Sequence, residues 1–298
     1  MLQDKVVIGT WPLSGDYGKV DLKTVQRTLE CCYDNNLKEF DTAPSYGNGF
    51  IEFCIGKVLG NKSDVLINTK IGNMPFNDKS FKVSNLTSSL EQSLKRLSVD
   101  SLNVLFLHNP RNDIDDYEGV LEFMNKLKQD GRIKHKGISL AKNYNYDFHF
   151  LKEFDVIQDD GNLLDMRFLN LELSNDVKFM ARSPLASGIL SGNINKDSIF
   201  PPDDHRSGWL KGERLDSIMK RVDKINEVFD FELIDLAKEF VLSNKKIEKV
   251  IFGVKSPEHI DSIVKSRSEL VYDKEIEEKL IQLYKNDFGL IEEGHLAL

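Results

Sequence analysis

Cysteine is scarce in this chain: there are three in 298 residues, Cys31, Cys32 and Cys54, and two of them are neighbours in a helical pattern. That number and spacing exclude a disulfide framework and fit small apolar packing residues. Long apolar runs are missing as well, since none approaches the roughly 18 residues of a membrane span. The N-terminus, "MLQDKVVIGTW", has no basic segment ahead of its short apolar run, so no secretory signal is expected and a cytoplasmic protein is. Positive charge is in deficit, with 40 Lys and Arg against 48 Asp and Glu and a net charge of -8. Nucleic acid is therefore excluded as a partner, because phosphate binding draws on clustered cations. An anionic ligand would need a local cationic pocket. Of the six histidines (His108, His135, His149, His205, His259 and His295) only one closes a strand-like run and none are paired at ligand spacing. A metal-dependent barrel hydrolase needs several such ligands at strand ends, so no metal is expected.

What is present is an alternation. Eight short β-rich runs are separated by segments of helical period: residues 5–11, 39–43, 65–70, 102–108, 133–140, 155–158, 177–183 and 249–254. Most read as nearly continuous apolar stretches, as parallel strands covered on both faces should. Between them, apolar residues recur at spacings of three and four, the stripe that a helix lays on a barrel wall. Leu22, Val25, Leu29 and Cys32 form one stripe, and Leu86, Leu90, Leu94 and Leu97 another. Val120, Phe123, Met124 and Leu127 form a third, and Leu233, Leu236, Ala237, Phe240 and Val241 a fourth. Periodicity lapses over 185–213, which reads as a long loop, and no linker or low-complexity tract divides the chain. The pattern predicts an α/β fold, a (β/α)8 TIM barrel of one domain over 1–298, with long loops at the C-terminal face where barrel sites are built.

The residues closing the predicted strands are Thr10, Asp41 with Tyr46 just beyond, Lys70, His108, Ser139, Gln158 with Asn162, and Ser183. A closed barrel makes them neighbours. A phenol with an ordinary pKa of about 10 gives up its proton reluctantly. A nearby ammonium lowers that value, and a carboxylate keeps the ammonium charged and oriented. Asp41 would thus hold Lys70, Lys70 would tune Tyr46, Tyr46 would act as general acid, and His108 would orient the carbonyl that receives the proton. Such a set suits carbonyl reduction, given a hydride source.

The segments "FDTAPSYGNGFIE", "VLINTKIG", "VLFLHNP", "GRIKHKGIS", "ARSPLASGILSG" and "GVKSPEHI" resemble, in order, the signature segments of the aldo-keto reductase family, from the first strand to the eighth. The resemblance is to a bacterial-type member, and it implies a barrel that reduces aldehydes or ketones with a nicotinamide cofactor, usually NADPH, with NADH the lesser alternative. It places the family's catalytic tetrad on Asp41, Tyr46, Lys70 and His108. Ser139 and Gln158 match positions that bind the nicotinamide carboxamide, with Thr10 and Asp41 close by. Ser183, Leu185 and Ser187 match the pyrophosphate loop. Lys255 and Ser256, ahead of Pro257, match the grip on the adenosine 2'-phosphate at a helix N-terminus, a natural anion site.

Several positions depart from that pattern. Leu140 stands where asparagine is common, Arg182 where a ring often stacks on the nicotinamide, His259 at an often basic or amide position, and Ile263 where a polar adenine contact is frequent. Asp159 and Asp160 follow Gln158, and Asp160 shares its face by strand alternation. They read either as exposed strand-end acids or as carboxylates near the pocket floor for a cationic or polyhydroxylated substrate. Trp11 and Trp209 are candidate apolar walls, with Tyr46 and His108, for a small carbonyl substrate. The loop 74–78, the segment 185–213 and the tail 289–298 are expected to shape its pocket. The alternative function is a cofactor-binding regulatory barrel with little turnover, like the potassium-channel β subunits of the family. The oligomeric state is not readable.

Overall fold

Runs of three to seven residues, most of them aliphatic or β-branched, form strands here because a parallel barrel strand is buried inside and out. The computed structural model describes residues 2–76, 78–111, 114–142, 148–264 and 271–290. Its strands are β1 (Val6–Gly9), β2 (Glu39–Asp41), β3 (Leu66–Ile71), β4 (Leu102–His108), β5 (Ile133–Ser139), β6 (Val156–Asp160), β7 (Lys178–Arg182) and β8 (Lys249–Gly253). Each pairs parallel with the next, and β8 pairs with β1 to close the barrel. The helices are α1 (Leu22–Asp34), α2 (Phe50–Leu59), α3 (Val83–Leu97), α4 (Tyr117–Gln129), the single turn α5 (Phe148–Leu151), α6 (Gly212–Val228), α7 (Leu233–Ser243), α8 (Pro257–Val264) and α9 (Lys274–Lys285). This is the (β/α)8 barrel that the alternation predicts.

The alternation is imperfect, for α6 and α7 both stand between β7 and β8. Residues 161–177, between β6 and β7, carry one 3-10 turn, Arg167–Asn170, in place of a helix. The long 185–213 segment is more ordered than its composition suggests. It holds 3-10 turns at Ala186–Ser191 and His205–Gly208, and an antiparallel bridge joins Asp204 to Tyr17. β1 and β2 each end two residues early, β2 at Asp41 and β1 at Gly9, where Thr10 caps a 3-10 turn, Trp11–Ser14, with Pro12 near its start, so Trp11 leaves the strand. β6 runs two residues further than expected, to Asp160.

Two cores hold the barrel. Val7, Val104, Phe106, Val156, Met180 and Ile251 fill its interior. Gly137 makes room there, because a Cβ at that position would stand 2.4 Å from Phe106 Cδ1. The larger core lies between strands and helices and takes in the predicted stripes. Leu22 is the exception, 49% exposed as the first residue of α1, beyond the part of the stripe that reaches the wall. Barrel register then aligns chemistry, since His108 sits opposite Ser139 and Ser139 opposite Gln158. Of the expected pocket loops, Asn77 and the tail 291–298 lie outside the described residues, as do His295 and the side chain of His149. Among the described residues no helix is long and apolar enough to cross a membrane.

Candidate active site

Asp41 ends β2, and the chain then doubles back through Tyr46–Gly49. Gly47, Asn48 and Gly49 all have positive φ (56°, 53° and 86°), a run that glycine and asparagine accept at least cost. This turn hangs Tyr46 over the barrel mouth. Lys70, near the end of β3, is 1% exposed and spends its three N–H bonds on Asp41 Oδ1 at 2.5 Å, the carbonyl of Thr42 at 2.9 Å and Tyr46 Oη at 3.2 Å. Because the ammonium donates to the phenol oxygen, the phenol keeps its own proton to give elsewhere.

Burial by itself would lower the Lys70 pKa, but the Asp41 carboxylate, then Tyr46, outweigh it and hold the value above the ordinary one. Tyr46 runs against the sequence expectation. Burial pushes its phenol above the usual range, and the opposing pull of Lys70 does not prevail. Burial, then the cations Lys70, Arg182 and Lys79, hold His108 well below the ordinary imidazole value, so the ring is neutral. It meets the Tyr46 ring edge-on at 6.3 Å between centroids. Its Nδ1 is buried with no hydrogen-bond partner among the described residues.

From Asp41 a second chain of bonds leads round the barrel. Asp41 Oδ2 accepts from Gln158 Nε2 at 2.9 Å, Gln158 Oε1 accepts from Ser139 Oγ at 2.8 Å, and Ser139 Oγ accepts from Arg182 Nη1 at 2.9 Å. Thr10 Oγ1 donates to the carbonyl of Asp41 at 2.9 Å. Arg182 also donates through Nε to Asp160 Oδ1 at 3.0 Å, and through Nη2 to the carbonyl of Leu140 at 2.8 Å and Asp159 Oδ1 at 3.3 Å. Lys142 Nζ adds a contact to Asp160 Oδ2 at 3.3 Å.

Asp159 and Asp160 are therefore neither exposed strand-end acids nor carboxylates free for a substrate, because Arg182 occupies both. Burial would raise the Asp160 carboxyl, yet Arg182 and Lys142 bring it down to about 2. Asp159 is pushed up to about 6 by burial, with Arg182 pulling the other way. Leu140 buries its side chain and offers its carbonyl to Arg182.

A second cluster forms at the ends of β7 and β8. Ser183, Ala186, Ser187 and Gly188 have φ of 54°, 46°, 58° and 93°, and the N–H groups of Ala186 and Gly188 close the turns onto the carbonyls of Ser183 and Leu185 at 2.9 Å each. Leu185 precedes the turn, Ser187 Oγ accepts from Tyr17 Oη at 3.4 Å, and the Ser183 carbonyl accepts from Asn162 Nδ2 at 3.0 Å. Lys255 Nζ donates to the carbonyl of Tyr17, and its backbone N–H donates to His259 Nδ1 at 3.3 Å. Ser256 precedes Pro257 at the start of α8. Ile263 lies in the core at 8% exposure, away from any polar role.

Aromatic rings join the two clusters. Trp11 stacks on Tyr46 at 6.2 Å, meets Tyr17 edge-on at 5.2 Å and lies 5.1 Å from His205. His205 Nε2 accepts from Trp209 Nε1 at 3.1 Å, and Trp11 Nε1 donates to Asp16 Oδ2 at 2.5 Å. Asp16, Tyr17 and His205 join the site beyond the residues expected there. The turn "SGDYG", which starts three residues past Trp11, is the sequence signal for the first two.

Among proteins of known sequence and structure, the family model described as "Aldo/keto reductase family" matches residues 5–283. A probable voltage-gated potassium channel subunit beta of Arabidopsis thaliana is 27% identical over 285 residues, covering 87% of this chain and 85% of that protein. The aldo-keto reductase YhdN of Bacillus subtilis is 25% identical over 277 residues, with 87% and 83% covered. The fold is also similar to the glycerol dehydrogenase AKR11B4 of Gluconobacter oxydans, with a TM-score of 0.77 at 23% identity over 94% of this chain and 91% of that one.

Proposed function

This chain belongs to the aldo/keto reductase family of oxidoreductases, whose members generally use nicotinamide cofactors, and from that premise we propose an NADPH-dependent reductase that converts an aldehyde or ketone to an alcohol with Tyr46 as general acid. The observation that carries this reading is the buried Lys70 ammonium, bonded at once to Asp41 Oδ1 and Tyr46 Oη. The bound nicotinamide supplies the hydride. The Tyr46 hydroxyl gives its proton to the carbonyl oxygen, and Lys70 stabilises the phenolate left behind. With its phenol raised by burial, Tyr46 stays protonated at neutral pH and depends on Lys70 for that stabilisation as the proton leaves. Neutral His108 orients the carbonyl, and Trp11 walls the substrate side.

The residues present suit the cofactor. Beyond the hydrogen given to Asp41, Gln158 Nε2 makes only a weak contact, to Met180 Sδ at 3.9 Å, that a carboxamide oxygen could replace. The N–H groups of Arg182 are engaged by Asp160, Asp159, Ser139 and Leu140, so its guanidinium has its face to offer a flat ring. The loop at Ser183–Ser187, with Leu185, suits a pyrophosphate, and Lys255 with Ser256 and His259 suits the 2'-phosphate.

Stopped-flow NADPH oxidation across an aldehyde panel tests the proposal. Tyr46→Phe is expected to lose about a hundredfold or more in turnover with NADPH affinity nearly unchanged. Wild-type turnover in that variant would mean that another group supplies the proton. The resemblance to a channel β subunit keeps one second reading in view, a regulatory barrel, which tight NADPH binding without oxidation of any substrate would favour.

A further inference from the structure

Glu52 is a carboxylate that the proposed reaction does not use, yet it is fully buried in the first turn of α2. A buried charge persists only when paired and hydrogen-bonded. Its Oε1 accepts from Thr69 Oγ1 at 2.6 Å. Its Oε2 accepts from Arg96 Nε at 2.8 Å, with Nη2 at 2.7 Å, and from Ser93 Oγ at 3.3 Å. Thr69 is the residue before Lys70 on β3, and neighbouring strand residues face opposite ways. Lys70 therefore reaches into the barrel to Tyr46 while Thr69 reaches outward to Glu52.

Both contacts span the same gap, between β3 and the segment that carries Tyr46. That segment includes the three consecutive left-handed residues Gly47, Asn48 and Gly49, whose last member opens onto α2. Such backbone persists only where its surroundings hold it. The Arg96 shaft lies against the turn, for a Cβ on Gly49 would stand 2.9 Å from Arg96 Cδ.

We infer that Glu52 is a positioning residue: through Thr69 and Arg96 it clamps the Tyr46 turn to β3 and so sets the phenol at Lys70. The inference rests on Tyr46 acting as general acid. Thr69→Val removes one hydroxyl at nearly constant shape, and Glu52→Gln keeps an acceptor while discharging the Arg96 pair. Each is measured for kcat and KM alone and combined with Tyr46→Phe.

Misplacing a reacting group by about 1 Å can cost about a hundredfold in rate, so kcat should fall about tenfold in Thr69→Val and further in Glu52→Gln, with KM within about threefold of wild type. In the Tyr46→Phe background neither change should lower the residual rate further. Unchanged kcat in Thr69→Val, while Tyr46→Phe alone has lost turnover, would overturn the clamp and leave the general acid standing. Equal losses in both backgrounds would also overturn it, since a merely structural defect does not depend on the phenol. Full turnover in Tyr46→Phe alone would remove the acid reading and the clamp together. If Glu52→Gln does not fold, Thr69→Val decides by itself.

Discussion

Lys255 shows what one side chain can do in two capacities. Its ammonium bonds the carbonyl of Tyr17, tying the loop after β1 to the start of α8, and it stands where a helix N-terminus and a cation together favour a phosphate. Lys255→Ala removes the loop tie for either cofactor, so the ratio of losses isolates the phosphate contact. A charge-assisted bond contributes about 1.5–3 kcal/mol, so the variant should lose about tenfold or more in NADPH affinity relative to its loss for NADH. Fluorescence titration with both cofactors measures this, and equal losses would remove Lys255 from the 2'-phosphate role.

At the scale of an element, the end of β6 matters most. Alternation places Gln158 and Asp160 on one face, and pairing of β6 with β7 sets Asp160 opposite Arg182. Asp159 holds its proton up to about 6, above the ordinary 3.8. The folded chain therefore binds more protons than the unfolded chain between those values. Its contribution is greatest below 3.8 and is lost as pH rises through about 6. Asp160, lowered to about 2, has the opposite sign: its stabilisation is present above 3.8 and lost as pH falls through about 2. Thermal melts of Asp159→Asn against wild type should show the wild type losing ground between about pH 4 and 6 and a constant difference above. A difference independent of pH across that window would mean that Asp159 titrates as an ordinary carboxylate.

For the molecule as a whole, the end of the barrel away from the site carries its own polar network. At the N-terminal end Glu39 accepts from Asn68 Nδ2 at 2.9 Å, Asn103 Nδ2 at 3.2 Å and Lys249 Nζ at 2.7 Å. Lys249 also donates to the carbonyl of Asp4 at 2.6 Å. These bonds link β2, β3, β4 and β8 across the barrel floor. Lys249→Met leaves the buried Glu39 charge without its cation, and should cost about 1–3 kcal/mol in urea unfolding while kcat and KM stay at wild-type values. A changed kcat would mean that the barrel floor and the mouth are coupled.

Much of this was readable in the sequence because it is written in short-range patterns. Strand runs such as 102–108 and stripes such as Leu86, Leu90, Leu94 and Leu97 follow from periods of two and 3.6 residues. Once eight strands are inferred, the residues closing them must converge, which brings Asp41, Tyr46, Lys70 and His108 together. The sequence by itself thus determined the barrel and the set of groups at its mouth. Only tertiary structure decided how those groups are tuned and braced. Arg182 claims Asp159 and Asp160 from a neighbouring strand, Lys255 reaches Tyr17 across 238 residues, and Glu52 meets Thr69 and Arg96 from two other elements. These contacts come into being when the barrel closes, and the raised Tyr46 phenol follows from burial, which no local pattern encodes.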